Sequence, residues 1–197
     1  MWDCSFTNLI LTGTKNFGIF IHGQSVNNVF TACRSYGGIN AIRVEGKPYS
    51  GTNKRPEGIT FNGGFAGSAE IGINHVNGLY IVYSNIVIDL NNVNAFRGTS
   101  VDCSVLSGCY LFSSGRTMEL ANVPTSNNNS FNVIGSQFIG TDSSDYAIGN
   151  ANNWSGINII GNIFTAYKMT ACIFVGINTQ MLISGNTFES ETTDEAD

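Results

Sequence analysis

Three carboxylates stand out for the chemistry their positions would allow. Glu45 and Glu70 lie beside short alternating strands, and Asp89 follows a turn by two residues. Two carboxyls roughly 5–5.5 Å apart can hydrolyse a glycoside with retention, and roughly 6.5–9.5 Å apart with inversion. Glu45 and Glu70 fall about 13 Å apart along a straight strand at the usual rise per residue. A bend before Ile71, or a carboxylate from a neighbouring subunit, would be needed to close that gap. Asp89 is the other candidate partner, an acid in a mostly small or apolar column where burial would suit a general acid. The competing reading of Asp89 is a side chain capping its own turn.

The elements that must position these groups recur along the chain. Eight short turn motifs each end in a large apolar residue, here called the anchor: Phe6, Phe30, Phe65, Val87, Tyr110, Phe138, Phe164 and Phe188. Their spacings are 24, 35, 22, 23, 28, 26 and 24 residues. A near-constant period marks stacked supersecondary units, none able to bury its apolar face alone. Alternating strands precede the motifs, as in Ile157-Asn158-Ile159, and others follow them, as in Ile42-Arg43-Val44. Two or three short strands per coil predict an all-β chain: a right-handed parallel β-helix of about eight coils over residues 1–188, with Asn ladders at its turns. A β-sandwich explains the alternation equally well but not the repeated turn motif. Residues 189–197 read as a solvated acidic tail.

Composition narrows the partners. The net charge of −5 is concentrated in that tail, leaving the body neutral, so no nucleic-acid surface is expected. The five cysteines, an odd number without a CxxC pair, read as reduced interior thiols made in a reducing compartment. The N-terminus has no signal-peptide pattern, and no apolar run is long enough to span a bilayer. No Ser/His/Asp triad, nucleotide-binding glycine loop or metal-ligand cluster can be assembled, so neither metal nor cofactor is expected.

Aligning three strands with Ile21, Val44 and Ile73 inside sets Phe20, Arg43 and Gly72 in one outward column. His22, Glu45 and Asn74 form the next. This polar, partly aromatic face lies beside residues 47–58, a loop that includes Tyr49 and bulges from the helix. Phe20, His22, Arg43, Asn74 and Tyr49 are thus candidate sugar-binding residues; the other reading is an ordinary exposed sheet face.

Gly161-Asn162-Ile163-Phe164, Gly185-Asn186-Thr187-Phe188 and Ala41-Ile42-Arg43-Val44-Glu45-Gly46 resemble segments of the bacteriophage tailspike β-helix and the wider pectate-lyase-like group. The resemblance implies a homotrimer on the virion, synthesised in the host cytoplasm, that binds bacterial surface polysaccharide of capsule or O-antigen type. It also implies that such a module often cleaves its glycan, as an endo-glycosidase using Glu45 with Glu70 or Asp89. For a lyase, His22 or a lysine of residues 47–58 would be the base and Arg43 would neutralise a uronate. The chain is shorter than those spikes, and a ligand-free structural shaft of a virion or adhesin is the remaining alternative.

Overall fold

A computed structural model describes residues 1–49, 52–121, 130–140, 146–150, 154, 156–166, 171–176 and 179–190. Among these residues every regular element is a strand. One sheet has fourteen strands, a second has seven, and a two-stranded hairpin stands apart. Pairing within both large sheets is parallel, whereas the hairpin of Lys47–Tyr49 with Thr52–Lys54 is antiparallel. The fold is therefore a parallel β-solenoid, and the sandwich is excluded. The seven strands of the second sheet revise the expected eight coils slightly downward.

Most coils contribute two strands to the long sheet, separated by a corner, whereas Val29–Tyr36 and Thr60–Gly67 each run through the corner as one strand. Seven coils also contribute a strand to the second sheet. Before the corner, Phe6, Phe30, Phe61, Tyr83, Leu106, Val133, Ile159 and Ile183 are in register. After it, Leu11, Ser35, Ala66, Ile88, Leu111, Phe138, Phe164 and Phe188 are in register. The third column is Ile19, Ile42, Ile73, Phe96, Met118, Ile148 and Ile173. Apart from Ile183 and Phe188, which are exposed on the last coil, these three inward columns form one core. Rings stack along them, as in Phe6–Phe30–Phe61–Tyr83 and Phe138–Phe164–Phe188, with centroids 4.8–5.4 Å apart. Each such pair adds about 0.5–1.5 kcal/mol beyond the area it buries.

The corner explains the turn motif. The equivalent residue of each coil adopts a left-handed φ there: Asn8, Ala32, Gly63, Asn85, Gly108, Gly135, Gly161 and Gly185, with Gly64 beside Gly63 at positive φ as well. Glycine and asparagine tolerate that conformation best. The extra residue bends the chain and shifts the inward phase, so Phe30 points in before the corner and Cys33 after it. The eight sequence anchors consequently mix two registers. Phe6 and Phe30 precede the corner, whereas Phe138, Phe164 and Phe188 follow it. Phe65, Val87 and Tyr110 sit one residue short of the inward column and face outward.

Inside the later corners runs the expected amide ladder. The Asn162 side-chain amide donates to Val133 O and Asn186 Oδ1 (both 3.0 Å), and its Oδ1 accepts from Ser136 N–H at 2.9 Å. Of the cysteines, Cys33 and Cys109 are buried as expected, Cys4 and Cys172 are half-buried, and Cys103 is exposed. Residues 191–197 of the predicted tail lie outside the described residues.

Candidate functional site

The seven-stranded sheet carries most of the residues singled out by sequence. Phe20, Arg43, Asn74, Arg97, Glu119, Gly149 and Phe174 share one column, and His22, Glu45, Val76 and Thr99 the next. Relative to the expected alignment, the third strand is shifted by two residues, so Arg43 adjoins Asn74 and Glu45 adjoins Val76. A two-residue slip keeps every side chain on its own face, so burial alone cannot detect it. Phe20 packs against Phe17 and His22, and the Arg43 guanidinium lies 5.3 Å from the centre of the Phe17 ring. Asn74 is on the outward side yet buried. Tyr49 falls on the hairpin, and its side chain lies outside the described residues.

The three carboxylates do not converge. Glu45 forms an ion pair with Arg43 across 3.0 Å. Glu70 immediately precedes Ile71, which pairs with Asn40, whereas Glu45 pairs with Val76. Six residues of strand separate Glu70 from Val76, on the order of 20 Å and farther than the sequence indicated. Asp89 is on the other sheet, paired with Gly67. It is half-buried, and its Oδ1 accepts from the Leu90 N–H, where Leu90 holds φ +58. That is the turn-capping geometry. Burial first, and then the Asp89 charge, raise the Tyr110 phenol above its ordinary value.

Charges elsewhere on the seven-stranded sheet neutralise one another. Glu119 meets Arg97 at 3.4 Å and Arg116 at 3.1 Å, and Arg116 covers the Tyr146 ring. Glu119 is thus a partly covered ion-pair partner, and so is Asp102, which meets Arg55 at 3.3 Å. That bridge ties the base of the hairpin to a later coil. Among the described residues, no three His, Cys, Asp or Glu side chains cluster as metal ligands.

A different concavity lies on the long sheet, at the corner of the early coils. It is a groove of about 450 Å³ lined by Ala32, Arg34, Tyr36, Gly64, Phe65, Asn85 and Val87. Arg34, Phe65 and Val87 are outward neighbours on three successive rungs. Tyr36 and Phe65 stack with centroids 4.8 Å apart and planes inclined by 22°. Gly67 makes room for this pair: a Cβ there would lie 2.8 Å from Phe65 Cζ and 1.8 Å from Asp89 O. The anchor pattern hides this groove, because it sets Phe65 inside with the other large apolar residues. The signal that could have found it is the offset from the corner: Phe65 stands two places after Gly63, as Arg34 does after Ala32 and Val87 after Asn85, and that place faces outward.

No protein-family model matches the chain, and no curated protein matches it in sequence. Among solved structures it is similar to the Streptococcus pneumoniae surface protein and adhesin PfbA, with a TM-score of 0.46 and 11% identity. The match covers 96% of this chain and 66% of that one. The class is defined by the chain's own strand register: an all-β parallel solenoid.

Proposed function

We propose that this solenoid is a glycan-recognition module of the tailspike kind, carried on a virion as a homotrimer and directed at bacterial surface polysaccharide. The observation that carries the reading is the long-sheet groove, where two stacked rings, a guanidinium and an amide side chain meet on rigid strands. Few polar groups beside flat apolar surface is the usual composition of a small-ligand site. The Phe20–His22–Arg43 face is a second contact surface along the same rod.

Recognition is favoured over cleavage. Hydrolysis by Glu45 with Glu70 or Asp89 requires a pair that this coil geometry keeps apart, and Arg43 is already engaged by Glu45 rather than open to a uronate. The test is a panel of capsular and O-antigen polysaccharides, scored for binding, new reducing ends and unsaturated-sugar absorbance. Saturable binding without products supports the reading. Reducing ends abolished by Glu45→Gln would restore the glycosidase, and absence of binding across the panel would leave a structural shaft.

A further inference from the structure

Of the five arginines, Arg43, Arg55, Arg97 and Arg116 are each ion-paired. Arg34 is exposed and has no carboxylate within salt-bridge distance among the described residues. It lines the groove next to the Tyr36–Phe65 stack. A guanidinium matches a carboxylate through two parallel N–H donors, and a stacked ring pair offers a flat apolar surface at little entropic cost.

We infer that the Arg34–Tyr36–Phe65 groove is a subsite for a carboxylate-bearing pyranose, deepening the glycan reading on which it rests. Arg34 takes the sugar carboxylate, the rings take the apolar face of the pyranose, and Asn85 at the groove edge takes a hydroxyl. The nearby acid, Asp89, is turned to its own Leu90 amide and does not pair with Arg34. Gly67 is part of the device, since any side chain there would displace Phe65.

Monosaccharides probe the subsite without assuming a linkage. Methyl glucuronide, methyl glucoside and acetate are titrated separately into ¹⁵N-labelled protein, following the amides of residues 32–36, 64–67 and 85–87. The proposal expects glucuronide to shift these amides at least about tenfold more tightly than glucoside or acetate. Arg34→Gln should erase the preference for glucuronide, and Phe65→Ala should weaken both sugars. Equal binding of glucuronide and glucoside, or a preference that survives Arg34→Gln, overturns it. Acetate binding as tight as glucuronide would mean a plain anion site and overturns it too. Val87 is an exposed apolar residue of the groove, with Tyr110 beside it on the next rung, so sedimentation of Val87→Arg is run alongside. An oligomer that this substitution dissolves would make the groove an interface between copies and overturn the subsite. If a polysaccharide of the panel binds but glucuronide shifts other amides, this subsite fails while the glycan function stands. If no saccharide binds at all, both fail.

Discussion

Acid should weaken this solenoid through one side chain, His75. Its ring is fully buried against Tyr83, with centroids 5.9 Å apart. Neither ring nitrogen has a hydrogen-bond partner. Burial pushes the imidazole down to about 3; the Gly78 backbone, near the ring but outside bonding geometry, offsets this only in part. The folded pKa therefore lies below the unfolded value of about 6.5, so the unfolded chain binds the proton first. Stability is fully present above about pH 6.5 and is lost as the pH falls toward 3. At pH 5 the loss is about 2 kcal/mol, from roughly 1.5 pH units at about 1.36 kcal/mol each. Urea unfolding at pH 7 and pH 5 should show a midpoint lower by about 1 M at pH 5, for an m-value of about 2 kcal/mol/M. His75→Leu should remove most of that difference, while His22→Gln, at an exposed position, should retain it. An undiminished pH dependence in His75→Leu would rule out the buried imidazole as its source.

Other expectations follow from the corners and the core. Gly135 has open space where a Cβ would sit, at φ +57, so Gly135→Ala should cost only the left-handed backbone penalty, about 1 kcal/mol in thermal or urea unfolding. Gly64→Ala should cost several times more, because its Cβ would fall 1.9 Å from Cys33 O. Asn162→Ala strands the Ser136 N–H and the Val133 carbonyl, and should cost about 3 kcal/mol in the same unfolding measurement, at about 1–3 kcal/mol per buried orphan. In native thiol labelling, Cys103 should react first, and Cys109, whose thiol burial raises to about 11, only on unfolding.

The architecture was legible because its cause is local. A glycine or asparagine at most corners, followed by re-phased alternation, marks coil after coil, and Gly161-Asn162-Ile163-Phe164 displays it without any tertiary knowledge. Register was less legible. Ile73 can be set beside Val44 or Ile42 with no change in which residues are buried, and only the backbone pairing chooses Ile42. The groove was hidden for a related reason. Arg34 and Phe65 become neighbours across the coil that carries the hairpin insertion, and Phe65 faces outward because it stands two residues after the corner Gly63, as Arg34 does after Ala32. The predicted carboxylate cluster relied on strand positions that the two-residue shift and the second sheet move apart.

Glycan recognition by the long-sheet groove is best put to the test by titrating fragments of the panel polysaccharides into the ¹⁵N-labelled chain. Saturable shifts concentrated at Arg34, Tyr36, Phe65 and Val87 are expected with at least one fragment. Shifts absent from the groove with every fragment would contradict glycan recognition there.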